Sequence, residues 1–431
     1  MDKKIDVLVI GGGPAGIIAA GKAAENGARV VLVEKNADLG VKLLLTGHGR
    51  CNLTNTEIQS GNLVEKYGKN GRFLFSALQH FGPAEVIEFF ESRGVKTKVE
   101  ENGRVFPVSD KAQDVLNALK KYLVENKVEI LFDARVGKII AKGKRLEKIV
   151  LADGRELHAE KYIICTGGKA WPQTGSTGDA CAWLKGLGHT IVEPAPALAP
   201  IVCSIEGERS HAPVYGSARG SGVCAVENFK SLEGVSLRAV GLKVFQNNKK
   251  QTGRVGDVVF TANGMSGPAV FGVCKEIGRL LKTGKVELRL DLVPDLTVEL
   301  LDQRLEQMLR EGGNKMIKNI LNIVPARLAL AILDLAEINP DKKANAISRG
   351  ERKVLARLIK EFPLQVKSVC GFDQAMVTSG GVDLHEVDPR TMRSKIIENL
   401  YFAGEILDLD GPTGGYNLQI CWSTGRIAGA K

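Results

Sequence analysis

The chain has 431 residues, with 59 basic and 49 acidic side chains and a formal net charge of +10. Apolar residues make up 44% and charged residues 25%, which excludes a disordered or fibrous chain, and the length suits two or three domains. No apolar run approaches the ~20 residues of a membrane span, and the basic excess reads as spread along the chain, so a nucleic-acid partner is not expected.

In chain order, residues 5–10 predict a short buried strand. The turn Gly11-Gly12-Gly13-Pro14-Ala15-Gly16 follows, then a helix to about Asn26. Pro14 suits the first helical turn, where its missing N–H costs nothing. Residues 29–34 predict a second buried strand, which completes a βαβ opening. A glycine-rich loop runs from Leu39 to Asn55, and residues 76–93 and 112–126 predict amphipathic helices. Between them residues 96–107 predict a hairpin with Asn102-Gly103 at its tip. Residues 128–132 return to the sheet. Residues 136–141 and 146–151 predict another hairpin, and 162–165 a buried strand ending at Thr166-Gly167-Gly168.

Near Glu193 the texture changes, and Pro194, Pro196 and Pro200 predict a linker. Short strand patterns at 199–205, 235–244, 255–261 and 286–291 predict an inserted barrel or sandwich. A helical period covers 297–362, and residues 399–403, the glycine-rich 404–415 and a helix from about Asn417 close the chain. The expected fold class is α/β: a Rossmann-like domain over 1–193 and 363–431, an inserted β-barrel over 194–296 and a small helical domain over 297–362. The cysteines at 51, 165, 181, 203, 224, 274, 370 and 421 contain no CxxC pair, and the six histidines show no metal-ligand spacing. The opening Met1-Asp2-Lys3-Lys4 precedes no cleavable apolar core, so a cytoplasmic protein is expected.

Gly11, Gly13 and Gly16 fit G-x-G-x-x-G between a strand and a helix. The first permits the turn, the second lets backbone approach a pyrophosphate, and the third allows close helix–strand packing. Glu34, at the end of the second strand with Lys35 beside it, suits the adenosine ribose hydroxyls and would repel a 2′-phosphate. FAD is expected rather than NAD, because remote segments are suited to catch a longer ligand. These are the run Gly49-Arg50-Cys51-Asn52-Leu53-Thr54-Asn55, the strand end at Thr166 and Gly167, and the C-terminal Gly404-Glu405 and Gly415-Tyr416-Asn417-Leu418. A helix starting at the last of these would aim its amides at the ligand. No second G-x-G-x-x-G is visible, so NAD(P)H is expected to act only as a transient electron donor.

These strings, with Thr174-Gly175-Ser176-Thr177-Gly178-Asp179, Gly264-Met265-Ser266-Gly267-Pro268 and Thr378-Ser379-Gly380-Gly381, carry a resemblance nearly from end to end. The chain resembles the HI-type NAD(P)/FAD-dependent oxidoreductase family of two-dinucleotide-binding flavoproteins, which includes aminoacetone oxidase and a BaiN-type bile-acid reductase. The resemblance implies the domain plan above and FAD contacts at Ala15, Glu34, Lys42, Arg50, Asn52, Val136, Gly404, Asn417 and Leu418. His48 stands where the family often has glycine, and Ala180-Cys181 replaces its usual Gly-aromatic pair.

The expected reaction is NAD(P)H-driven reduction of a C=C bond conjugated to a carbonyl. The resemblance points to a 3-dehydro-bile acid Δ4,6-reductase acting on a steroid enone. Such chemistry needs a proton donor, for which His48 and Tyr416 are the candidates, while Cys51 reads as packing. The alternatives are a flavin amine oxidase using O2 and an RNA-binding flavoprotein, for which the net charge leaves room.

Overall fold

The computed structural model describes residues 4–205 and 229–430; Met1–Lys3 and Cys224 lie outside the described residues. Its contacts divide the chain into two compact units, one of residues 1–197 with 372–431 and one of 198–371.

The first unit is built on a five-stranded parallel sheet. Strand Ile5–Ile10 sits at its centre, between Ala159–Ile164 and Val30–Val33, with Leu400–Phe402 and Glu129–Leu131 outermost. Val7, Leu8, Val9 and Ile10 are all buried, as a strand covered on both faces requires. The Pro14–Glu25 helix packs on Tyr416–Ala430, and small residues permit the approach. A Cβ on Gly425 or Gly429 would stand 2.5 Å from Ala15 O or 2.2 Å from Ala19 O. The expected helix at 76–93 is two helices, Phe75–His80 and Pro83–Glu91, because Gly82-Pro83 breaks the first and opens the second.

The proline-marked segment near residue 193 is a strand rather than a linker. Ile191–Ala197 pairs antiparallel with Val377–Val382 in a two-stranded ribbon, with a register shift between Val192 and Ala195. An edge with a bulge tolerates missing N–H donors. Close by, His189 Nδ1 lies 2.8 Å from a Glu386 oxygen and its Nε2 lies 2.9 Å from Ser394 Oγ. Ser394 Oγ also accepts from Ile396 N and Ile397 N, so its O–H is free to donate to a neutral imidazole. Burial lowers the His189 pKa, against the pull of Glu386.

The second unit contains a closed antiparallel barrel. Its order is Ile201–Ile205, Gly264–Ser266, Lys249–Thr261, Ser236–Gln246, Val286–Asp291 and Phe362–Val369, and the last strand pairs with the first. The helices Val298–Gly312, Ala326–Leu335 and Arg349–Lys360 share one apolar core with it, so barrel and helices fold as one body. Residues 363–369, placed by the sequence reading in the nucleotide domain, close the barrel. In the strand Phe362–Val369 the alternating Phe362, Leu364 and Val366 point into the barrel core, a pattern that fits either sheet until pairing is known.

Candidate functional site

A groove opens at the carboxyl ends of Ile5–Ile10 and Val30–Val33, where the Pro14–Glu25 helix begins. Its floor is shaped by absent side chains. Gly11 has φ 105, and a Cβ there would lie 2.6 Å from Cys165 O; a Cβ on Gly16 would lie 1.8 Å from Gly11 O. Gly13, which caps the helix, has no neighbour for a Cβ within 4 Å, so bare backbone faces the groove. The helix N-terminus adds partial positive charge at that point.

Glu34 lines the groove and is buried. Its carboxylate accepts from Gly12 N at 2.6 Å and from Asn36 N at 2.8 Å, so backbone donors set its position. Lys35 Nζ reaches Thr177 Oγ1 at 2.6 Å and Asp179 at 3.1 Å, and Asn36 Nδ2 donates to Thr174 O at 3.1 Å. The 174–179 turn is thereby held across the groove mouth.

Of the residues singled out from the sequence, Gly11, Gly13, Ala15, Glu34, Lys35, Lys42, Val136, Thr166, Gly167 and Glu405 line this groove. Lys42 pairs with Glu405 at 2.8 Å, and Glu405 also accepts from Thr378 N at 2.7 Å. Gly404 has φ 78, and its N–H donates to Thr424 Oγ1 at 2.9 Å.

The Arg50–Asn55 run is placed differently from its expected role. Arg50 is neutralised by Asp110, with Nε 2.7 Å from Oδ1, and by Glu100, and it lies 4.0 Å from the Phe106 ring centroid. Cys51 is buried, and burial pushes its thiol up to about 12, so it is a packing group at neutral pH. Asn52 is oriented so that its oxygen accepts from Gly415 N at 3.1 Å while its amide donates to Thr54 O and Val105 O. Asn55 Nδ2 donates to Gly414 O at 3.0 Å, and Trp422 Nε1 donates to Leu53 O at 2.8 Å. Asn417 grips its own turn, with Oδ1 accepting from Gly411 N and Nδ2 donating to Gly411 O, both at 2.9 Å. The polar run therefore fastens the C-terminal helix and its glycine turn, where Gly414 and Gly415 have φ 114 and 98.

His48 and Gly49 are exposed with φ 58 and 82. Tyr416 is buried edge-on against Tyr67, 5.8 Å between centroids, and burial raises its hydroxyl pKa. Leu418 packs half-buried on the core. Neither His48 nor Tyr416 is in the groove lining. Sequence reasoning missed Asn36, Arg135 and Cys421, which do line it, beside Trp183. Asn36 and Arg135 carried no local signal, whereas Cys421 follows Asn417 by one helical turn.

The groove fits an adenine dinucleotide on two observations. Thr166 Oγ1 is buried and has no hydrogen-bond partner among the described residues, although a buried hydroxyl ordinarily has one. The second is the open backbone at Gly13 beside the buried Glu34 carboxylate. Among the described residues no helix is long and apolar enough to cross a membrane.

Residues 5–431 match the family described as HI0933-like protein Rossmann domain. The chain is 33% identical over 427 residues to 3-dehydro-bile acid delta(4,6)-reductase of Clostridium scindens, covering 98% of this chain and 97% of that protein. It is 27% identical over 427 residues to ribosomal RNA dihydrouridine synthase of Escherichia coli, covering 98% and 96%. Among solved structures, 3-ketosteroid-Δ4-(5α)-dehydrogenase of Rhodococcus jostii aligns over 100% of this chain and 97% of that one, at 15% identity and a TM-score of 0.53, a likeness of fold.

Proposed function

This chain belongs to the HI0933-like Rossmann family and is an FAD-dependent oxidoreductase, and from that premise we propose that it reduces a C=C bond conjugated to a carbonyl with electrons from NAD(P)H. One observation carries the reading. Two relatives that match nearly the whole chain are named for saturating such a bond. In a 3-oxo steroid with Δ4 unsaturation the alkene adjoins the 3-ketone, and in uridine the C5=C6 bond adjoins the C4 carbonyl.

FAD supplies two-electron redox chemistry when bound. The protein's part is to hold and orient. The backbone around Gly11 and Gly13 with the helix N-terminus takes the pyrophosphate, Glu34 takes the ribose hydroxyls, and Thr166 Oγ1 supplies a hydrogen bond. Lys42 and Glu405 form a neutral pair that fixes the groove wall without adding net charge. A C=C reduction also needs a proton. The candidates carried from the sequence are Tyr416, which holds its proton at neutral pH although burial disfavours the phenolate that donation would leave, and the exposed His48; neither lines the groove.

The first substrate class is a 3-oxo-Δ4 bile-acid or steroid enone. The second is uridine in RNA, favoured by the charge of residues 198–371, with 26 basic against 18 acidic side chains. The test is anaerobic rapid mixing. NADH or NADPH should bleach the flavin, and an enone or a uridine-bearing RNA should restore its colour faster than buffer does. Bleaching by a primary amine and recovery only with air would overturn the reading in favour of an amine oxidase.

A further inference from the structure

The unit of residues 198–371 holds +8 of the chain's +10, and topology gathers part of that charge at one end of its barrel. Strand Ser236–Gln246 turns through Asn247 and Asn248, at φ 50 and 58, into Lys249–Thr261. The same strand pairs on its other side with Val286–Asp291, with Phe245 opposite Glu287. The hairpin tip therefore lies beside the turn that precedes Val286. Gln246 fixes that contact, because its Nε2 donates to Leu280 O at 2.9 Å and its Oε1 accepts from Thr283 Oγ1 at 3.4 Å.

Lys249 and Lys250 on the tip, and Lys282 and Lys285 on the turn, thus share one barrel end. All four are exposed, and none is in an ion pair among the described residues. Two acids on the neighbouring elements are already engaged: Glu287 with Arg289 at 3.6 Å and Glu276 with Arg279 at 2.6 Å. Two strand spacings amount to about 10 Å, which is also about the screening length at 0.1 M salt. The four ammonium groups therefore add to one positive potential, and none has an ion-pair partner among the described residues. Flexible, hydrated lysine heads suit phosphates spaced along a strand and read no base identity.

We propose that this barrel end anchors the phosphate backbone of a structured RNA, an inference that rests on the uridine arm of the proposed function. The cluster is invisible in one dimension, since the partner turn is more than 30 residues away in the chain.

The test compares the full-length FAD-loaded protein with the variant K249Q/K250Q/K282Q/K285Q, and with K127Q/K138Q/K142Q/K144Q, which removes equal charge from exposed positions of the first unit. The probe is a fluorescein-labelled RNA hairpin with uridines in its loop, titrated across a salt series. The barrel variant should bind about tenfold or more weakly at low salt, with a log–log salt slope shallower by roughly 2–3, while the control variant keeps most of both. Melting temperature and NAD(P)H-driven enone reduction, measured alongside, should be unchanged in both variants. If the natural chain binds the hairpin and the barrel variant binds equally with the same slope, the anchor is wrong and the uridine reading stands. If the natural chain shows no salt-dependent binding at all, both fall. Preference for phosphatidylserine vesicles over the hairpin, lost in the barrel variant, would overturn the RNA assignment in favour of a membrane surface.

Discussion

The two units differ in what carries their chemistry. Residues 1–197 and 372–431 are nearly neutral, with 33 basic and 31 acidic side chains, and their groove combines bare backbone and glycines at fixed spacing with Glu34, Thr166 and paired side chains such as Lys42 and Glu405. Residues 198–371 carry no G-x-G-x-x-G spacing, and their distinguishing property is charge brought together by strand pairing. The first kind of site is local in sequence, and the second exists only once the topology is known.

Substitutions in the first unit should therefore act on the cofactor and those in the second on an anionic partner. The largest effect is expected at Gly16. A methyl group there meets Gly11 O, so Gly16→Ala should cost about 1–3 kcal/mol of stability and yield protein without flavin colour, checked by thermal melting and visible absorbance. Glu34→Ala should weaken FAD by about 1.5–3 kcal/mol, or roughly 10- to 150-fold, in a fluorescence titration, and should leave hairpin RNA affinity unchanged. Thr166→Val should have opposite signs in the two states. The cofactor-free protein should gain about 1 kcal/mol or lose nothing, because an unsatisfied hydroxyl is removed, while FAD affinity falls by about 0.5–1.5 kcal/mol. Equal loss in both states would mean that the hydroxyl is structural.

A smaller effect comes from His189. Its folded pKa lies below the ordinary value of 6.5, so the unfolded chain binds the proton first. Its contribution is complete above about pH 6.5 and is lost as pH falls through that value towards the folded pKa. Glu386 adds to this at lower pH. Burial opposes its ionisation, but hydrogen bonds from Thr190 and His189 hold it below the usual carboxylate range, so its contribution is lost as pH falls below about 4.5. Denaturant midpoints measured against pH should show this acid-side loss, and His189→Gln should flatten the upper part of it. The smallest effect is at Cys51, which should resist alkylation at neutral pH until the protein unfolds.

Much of the first unit was legible. The βαβ turn, Glu34 and a strand followed from apolar runs, glycine spacing and one acid, although that strand was expected at 162–165 and runs over Ala159–Ile164. The Arg50–Asn55 run was legible as important but not in its role. A polar residue type does not reveal whether it faces a ligand or, like Asn52 and Asn55, a neighbouring glycine turn 359 or more residues away in sequence. The ribbon strand at 191–197 was hidden by its prolines, and the closing barrel strand by its distance from the other barrel strands. Asn36 and Arg135 reach the groove through loops whose path no periodicity encodes.

The proposed seat of FAD is the groove at Gly13, Glu34 and Thr166. The direct measurement is to strip the purified chain of any bound small molecule, add FAD and follow flavin fluorescence to saturation, with Glu34→Ala in parallel. Stoichiometric uptake by the natural chain and markedly weaker uptake by the variant are expected if FAD binds in this groove. Failure to take up FAD, or equal uptake by both proteins, would contradict it.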